Sequence, residues 1–271
     1  MRYNAKYIVQ RFLANHRTVA EAVASTTGLF TRTMRRSNVV MFHAGRCGSS
    51  VVGSLLNQHP AVKWGSEIFS NVGGRYGSQS WVLDDPCFMI NLRTKIHAKK
   101  VFGFEIKDKH IDSLKMEKRK LAEFLESIGY DKYILLKRLN YLKRIISSKV
   151  AEKIGSWNIE KRVEAPSVEI QTKSEEGEGL IDTFKSLDRY YADIENIFES
   201  KNLLKLSYEK DVKDDPKKAY YKIIDYVGIE EEEVDVKYKK INKRPIDDRL
   251  SNYEEVKRYL AGSRYEWMLY E

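Results

Sequence analysis

An apolar run that leads into a glycine-rich loop is the feature of this sequence that most restricts its fold. Residues 39–42 are all apolar, the loop 44–50 contains two glycines, and apolar residues then recur at helical spacing from Val51 to Leu56. A continuous apolar run predicts a strand buried on both faces, as in a parallel sheet. Pro60 discourages continuation of the helix. The segment therefore predicts a strand, a loop and a helix, the opening unit of an α/β domain.

The rest of the chain repeats this alternation of strands and helices. Further buried strands are predicted at 101–106, 133–136 and 203–206. Apolar residues recur with helical periodicity over three segments: 142–154, 181–198 and, after a proline at a favourable first-turn position, 216–227. The pattern predicts an α/β fold whose central, mainly parallel sheet is flanked by helices. Two polar segments, 65–88 and 158–180, are predicted to be long surface loops, and the second is either a lid or disordered.

Charge separates the first part of the chain from the remainder. The 271 residues include 48 Lys and Arg against 39 Asp and Glu, a net charge of +9 that favours anionic partners. Residues 1–37 contain seven Lys or Arg and one Glu, with apolar residues at roughly helical spacing. We expect a basic N-terminal helical segment at 1–37 and a single domain over 38–271. The segment either packs on that domain or contacts a membrane surface or a polyanion.

The sequence carries no sign of export or of membrane insertion. No run approaches the 18 apolar residues of a membrane span, and the first residues lack the compact apolar core of a secretory signal. The two cysteines, Cys47 and Cys87, are too few for a disulfide scaffold. We expect a cytoplasmic protein, with peripheral membrane contact through 1–37 left open.

The glycine-rich loop is predicted to bind an anion. Backbone amides at the start of a helix are unpaired and lie at the positive end of its dipole, which suits a phosphate group. Gly45 and Gly48 let the backbone approach the ligand closely, whereas Arg46 adds a planar cation and Ser49 and Ser50 add hydroxyl groups.

The loop differs from three better-known phosphate-binding loops. A Walker A loop has Lys after its second glycine, but Ser49 follows Gly48 here, and the dinucleotide pattern Gly-x-Gly-x-x-Gly is absent. A cysteine phosphatase needs an arginine at the end of its phosphate loop, and none follows Cys47. A helix start can lower the pKa of a thiol, but we expect Cys47 to be a small loop residue rather than a nucleophile.

Two segments resemble the nucleotide-binding motifs of sulfotransferases. Residues 39–60 resemble the 5′-phosphosulfate-binding loop and helix, and Arg46-Cys47-Gly48-Ser49 is similar to the Arg-x-Gly-Ser/Thr loop of bacterial carbohydrate sulfotransferases of the trehalose and nodulation-factor type. Residues 135–147 resemble the family's 3′-phosphate motif, in which an arginine at a strand end and a serine on the next helix bind the phosphate. Weaker similarity extends, with interruptions at the loops, to the C-terminus.

The resemblance implies a P-loop-like fold and transfer of a sulfuryl group from 3′-phosphoadenosine 5′-phosphosulfate (PAPS) to an acceptor hydroxyl, with 3′,5′-adenosine bisphosphate (PAP) as product. The residues implied in nucleotide binding are Gly45, Arg46, Cys47, Gly48, Ser49, Ser50, Arg138 and Ser147. Arg46 would also stabilise the leaving phosphate. Residues 64–69 match the segment that supplies an acceptor-site glutamate, so Glu67 is the expected base. His110 is its rival, because the cytosolic aryl enzymes use a histidine near an internal strand.

The acceptor implied by the resemblance is a carbohydrate or glycolipid. Lys107, which follows the strand predicted at 101–106, either meets the sulfate or the acceptor or is a surface lysine. We expect no metal, because cationic side chains and amides supply the charge, and no nucleic-acid partner. Two other functions remain open. A nucleotide kinase would share the α/β architecture but would need Mg²⁺ and the missing lysine. A non-catalytic protein that binds polyanions or a membrane surface would explain the net charge.

Overall fold

The computed structural model describes residues 26, 35–69, 86–97, 99–155, 165–173, 179–237 and 244–270. The helix predicted within 1–37 lies outside these ranges except at its last residues and residue 26. Most of the loop predicted at 65–88 and much of the one at 158–180 also lie outside them. Within the described part of the chain, no helix is both long and apolar enough to cross a membrane.

Five parallel strands form the central sheet in the order β2-β3-β1-β4-β5. The strands are β1 Ser37–His43, β2 Val62–Glu67, β3 Val101–Lys107, β4 Lys132–Lys137 and β5 Leu203–Ser207. The four predicted strands are confirmed, each extended by one or two residues at one or both ends, and so is the parallel arrangement.

Strand β2 corrects the predicted loop, which began at residue 65. The strand lies at an edge of the sheet and buries only Val62 and Trp64 deeply, so its polar composition conceals it. Its register with β3 shifts between Trp64 and Glu67, and Ser66 within this bulge has a φ of 53°. The bulge brings Glu67 opposite Glu105.

Helices cover both faces of the sheet. The α-helices are α1 Ser49–Leu56, α2 Pro86–Ile96, α3 Asp108–Ser113, α4 Lys118–Ser127, α5 Tyr141–Ile154, α6 Leu180–Phe198, α7 Lys217–Val227 and α8 Tyr253–Leu260, in the described residues. Val39 and Met41 pack on the face that α1 and α7 cover, whereas Val40 and Phe42 pack on the face of α2, α4, α5 and α6. This alternation gives three layers and confirms the predicted α/β class.

The topology creates a crevice at the carboxyl ends of β1 and β4. These strands are neighbours, yet the helices that follow them, α1 and α5, pack on opposite faces of the sheet. Such a switch point is where open α/β sheets bind ligands. Both segments that resemble nucleotide-binding motifs, 39–60 and 135–147, pass through this crevice where β1 and β4 end.

Candidate anion-binding site

The loop between β1 and α1 passes through left-handed backbone at Gly45, Arg46 and Gly48, with φ of 79°, 54° and 84°. A Cβ atom on Gly48 would lie 2.6 Å from Cγ1 of Val212, so this position requires glycine. The amides of Val51 and Val52 both donate to the carbonyl of Gly48. The α1 amides that precede them are therefore available to an anion.

Arginines from two segments meet at this loop. Arg138 follows β4 and donates from Nη1 to the carbonyl oxygen of Arg46, at 2.8 Å. Arg46 in turn donates from Nε to Oγ of Ser147 on α5, at 3.0 Å. The residues that were predicted to bind the 5′- and 3′-phosphates therefore belong to one hydrogen-bonded cluster.

Arg144 is a third arginine of the cluster, and the sequence analysis did not identify it. Its guanidinium donates to the carbonyl oxygens of Ala44 and Gly45, with Nε at 3.0 and 3.2 Å. The available signal was its spacing from Ser147, because residues three apart lie on the same face of a helix.

The electrostatics of the cluster favour an anionic ligand. Burial, and then the charge of Arg138, lower the pKa of Arg46. Burial also lowers the pKa of Arg138, whose Nε is buried without a hydrogen-bond partner among the described residues. The Arg138 guanidinium lies 4.5 Å from the ring centre of Tyr208, a cation–π contact that holds it in place. Like charges held together at a crevice indicate an anion site.

A charged carboxylate lies beneath the loop, and sequence reasoning missed it. Glu105 on β3 is 1% exposed; its Oε1 accepts from Nε1 of Trp64 at 2.8 Å, and its Oε2 is 3.1 Å from Nε2 of His43. Burial raises the pKa of Glu105, but hydrogen bonds from His43, Trp64 and Ser49 outweigh it and hold the pKa below its ordinary value. The one signal was an acidic residue inside an apolar strand.

Glu67 and Lys107 lie together at the end of the sheet. Nζ of Lys107 pairs with Oε2 of Glu67 at 2.5 Å, and both side chains are partly exposed. The Lys107 side chain also passes over the loop, because its Cε lies 3.7 Å from the position that a Cβ on Gly45 would take. Lys107 therefore lies between the anion-binding loop and Glu67.

Three side chains at this point have metal-ligand spacing. Ligand atoms of His43, Glu67 and Glu105 lie within 4.8 Å of one another. However, His43 and Glu105 bond each other, and Glu67 pairs with the ammonium group of Lys107. A metal ion would have to displace these contacts and compete with the lysine charge.

A cavity of about 1930 Å³ opens over these residues. Its lining includes ten Lys or Arg and five Asp or Glu side chains. Small-molecule sites typically occupy roughly 300–1,000 Å³, so this cavity has room for a nucleotide and a second reactant together. Eight of the ten predicted site residues line it: Gly45, Arg46, Gly48, Ser49, Ser50, Glu67, Arg138 and Ser147.

The other two predicted residues, Cys47 and His110, do not line the cavity. Cys47 is fully buried in the apolar cluster beneath α1, and its thiol forms a hydrogen bond with His43. His110 lies on α3, where its Nδ1 accepts a hydrogen bond from the amide of Lys107 at 3.2 Å. Burial and then the charge of Lys107 lower the pKa of His110 to about 3.

The sequence matches no protein-family model and no curated protein. Among solved structures, the chain is similar to a sulfotransferase from Alicyclobacillus acidocaldarius, with 13% identity and a TM-score of 0.48 over 86% of this chain and 95% of that one. It is also similar to the mouse sulfotransferase SULT7A1 complexed with PAP, with 14% identity and a TM-score of 0.40 over 93% of this chain and 80% of that one. The functional assignment therefore rests on the residues of the site itself.

Proposed function

We propose that this protein transfers a sulfuryl group from PAPS to a hydroxyl group of a carbohydrate or glycolipid. The observation that carries the proposal is a pair of hydrogen bonds at one cavity. Arg46, in the loop after β1, donates to Ser147 on α5, and Arg138 donates to the carbonyl oxygen of Arg46. Two adjacent cationic subsites suit a ligand with two separated phosphate groups, which PAPS carries and ATP does not.

The donor's two ends would bind different elements. The first-turn amides of α1 and the left-handed loop would hold the 5′-phosphosulfate, and Arg138 and Ser147 the 3′-phosphate. Ser49 would contribute its amide, because its hydroxyl group is bonded to Glu105. Ser50 is exposed at the cavity surface, where its hydroxyl group can reach the ligand.

In the reaction, the acceptor oxygen forms a bond to sulfur while the bond from sulfur to the 5′-phosphate oxygen breaks and PAP leaves. Glu67 takes the acceptor's proton, and Arg46 stabilises the charge that grows on the leaving phosphate. Lys107 lies between Glu67 and the anion-binding loop and can bind the sulfuryl oxygens. The buried Nδ1 contact and the low pKa of His110 favour Glu67 as the base.

The polarity of the cavity wall near Glu67 supports a polyhydroxyl acceptor. Ser66 precedes Glu67 in β2 and Ser54 also lines the cavity, whereas the side-chain amides of Asn57 and Gln58 bond within the protein. Hydroxyl groups match the hydrogen-bonding needs of a sugar better than those of an apolar phenol. Peripheral membrane contact through residues 1–37 would suit a glycolipid acceptor and remains part of the proposal.

The test measures binding of PAP to the full chain through the shift that PAP causes in the thermal unfolding temperature. We expect PAP at a hundred times its dissociation constant to raise the Tm by about 5–10 °C without Mg²⁺, and ATP to raise it much less. Arg138→Gln should lose most of this shift. Arg93→Gln, which changes a mostly buried arginine on α2 outside the cavity lining, is the matched control.

Two outcomes would overturn the proposal. Stabilisation by ATP that requires Mg²⁺ and exceeds that by PAP would favour a nucleotide kinase. A non-catalytic polyanion-binding protein would be favoured if the chain binds heparin or anionic vesicles with steep salt dependence and binds neither PAP nor ATP.

A further inference from the structure

His43 and Glu105 are polar residues in an otherwise apolar layer. His43 ends β1 and is 0% exposed, and both side chains lie on the sheet face that α1 covers. Burying such groups is unfavourable unless their hydrogen bonds are satisfied. Glu105 also borders the floor of an anion-binding cavity, where its negative charge repels a phosphate. Its presence there calls for a role other than ligand contact.

Two glycines make room for this network. A Cβ atom on Gly103 would lie 2.2 Å from Cζ3 of Trp64, whose indole crosses β3 to reach Glu105. A Cβ atom on Gly53 of α1 would lie 2.9 Å from the indole Nε1 and 3.0 Å from Oε1 of Glu105. The backbone of two elements is therefore shaped around the buried carboxylate.

The hydrogen bonds of His43 select one form of its ring. Nδ1 accepts from the amide of Gly45 at 3.0 Å, so the proton lies on Nε2 and is donated to Glu105. Burial lowers the pKa of His43, but contacts with Cys47 and Glu105 outweigh burial and raise it to about 10. The amide donor that faces Nδ1 opposes this second ring proton, and the geometry therefore favours the neutral ring. A proton on Nδ1 would face the Gly45 amide donor and break the bond to the loop.

Every second residue of the loop is attached to this pair. The amide of Gly45 and the thiol of Cys47 bond His43, and the hydroxyl group of Ser49 bonds Glu105. These attachments lie on both sides of Arg46, a non-glycine residue at a φ of 54°. Left-handed backbone is unfavourable for such a residue, so the surrounding contacts must hold it there.

We propose that His43 and Glu105 are positioning residues that hold the anion-binding loop in its left-handed turn without contacting the ligand. They act through Gly45, Cys47 and Ser49, and so aim Arg46 and the first amides of α1 at the cavity. Only the identity of the ligand, PAP, rests on the proposed function.

The test compares His43→Asn with His43→Leu. An asparagine can accept from the amide two residues later, as in an Asx turn, whereas leucine cannot. We expect His43→Leu to speed hydrogen exchange of the Gly45 amide and to weaken PAP binding, each about tenfold, the scale of one lost hydrogen bond. His43→Asn should recover most of both losses. Glu105→Gln should weaken PAP binding and leave the chain folded.

His59 offers a matched control. Its Nδ1 accepts from the amide of Ala61 at 3.0 Å, its Nε2 bonds the carbonyl of Glu230 at 2.8 Å, and it is 4% exposed. It therefore repeats the local geometry of His43 away from the loop. His59→Leu should lower the free energy of unfolding yet leave Gly45 exchange and PAP affinity unchanged, which separates positioning from general destabilisation.

Nuclear magnetic resonance of the imidazole nitrogens supplies an independent readout, in which we expect a neutral His43 ring protonated on Nε2. A doubly protonated ring, or unchanged Gly45 exchange in His43→Leu, would overturn the proposal. If the wild-type chain binds no PAP but Gly45 exchange responds as expected, the positioning role stands and the proposed function fails. If His43→Leu binds PAP as well as wild type does, the positioning role fails and the proposed function stands.

Discussion

At the scale of single residues, Glu67 and Lys107 form an ion pair whose partners have different roles in the proposed reaction. Lys107 lies over the anion-binding loop and can turn to a sulfuryl group, which would leave Glu67 to accept a proton from the acceptor. Glu105 is a poor alternative base, because it is 1% exposed and donors from three residues hold its pKa low.

We predict that Glu67→Gln lowers turnover by about 100-fold or more, the usual contribution of a general base, while PAP affinity stays within about twofold. Transfer from PAPS to a panel of neutral oligosaccharides, together with calorimetry of PAP binding, measures both quantities. His110→Asn should keep turnover within about threefold, since this side chain does not line the cavity. Near-normal turnover of Glu67→Gln would remove Glu67 as the base.

A second prediction concerns His110 and the pH dependence of stability. Its pKa is about 3 in the folded chain, against the ordinary histidine value of 6.5 in the unfolded chain, so the unfolded chain takes up the proton first. The contribution of neutral His110 to the free energy of unfolding is complete above pH 6.5 and is lost as the pH falls toward 3. Between pH 7 and pH 5 wild type should lose on the order of 2 kcal/mol more than His110→Asn in urea unfolding. Equal losses in the two proteins would contradict this assignment.

At the scale of elements, the two helices at the crevice begin differently. The carboxylate of Glu209 accepts from the amides of Leu139 and Asn140, at 3.0 and 3.2 Å. Asn140 caps α5 by accepting from the amide of Lys143 at 2.8 Å. The protein's own groups therefore satisfy the start of α5, whereas the first amides of α1 remain available to a ligand.

We predict that Glu209→Gln destabilises the chain by about 1–2 kcal/mol, because a neutral amide replaces a charge-assisted acceptor of two backbone donors at a helix start. Urea unfolding at neutral pH measures the change. Glu123→Gln, on the exposed side of α4, is the control and should stay within about 0.5 kcal/mol of wild type. Equal stability of the two variants would show that the Glu209 contacts do not stabilise α5.

Most long elements of the described chain could be predicted from their own residues, whereas β2, α2, α4 and α8 were not predicted. Strands β1, β3 and β4 are largely apolar, because helices cover both of their faces. Strand β5 lies at an edge of the sheet and buries only Leu206 deeply, but its three leucines were enough to predict it. Edge strand β2 is covered less completely and carries the sequence Val-Lys-Trp-Gly-Ser-Glu, which has no continuous apolar run. Helix α4 was not predicted, although Leu121, Ala122 and Leu125 recur at helical spacing and face inward.

At the scale of the whole molecule, strand order determines which residues meet. His43 and Glu105 are 62 positions apart, and Arg46 and Ser147 are 101 apart. They meet because β3 and β4 pair with β1 on opposite sides and because α5 returns along the crevice. The ten basic and five acidic residues of the cavity lining likewise come from segments throughout the chain.

The sequence alone was enough to predict the parallel sheet, the strand, loop and helix at 39–56, and the glycine-rich loop, most of whose residues line the cavity. These follow from short-range rules: glycine tolerates positive φ, a helix start has unpaired amides, and a strand buried on both faces is apolar. The edge strand, the Lys107–Glu67 pair, Arg144 and the His43–Glu105 pair were decided by tertiary structure. Their roles depend on burial and on neighbours from distant segments, and only the packed sheet brings those segments within hydrogen-bonding distance.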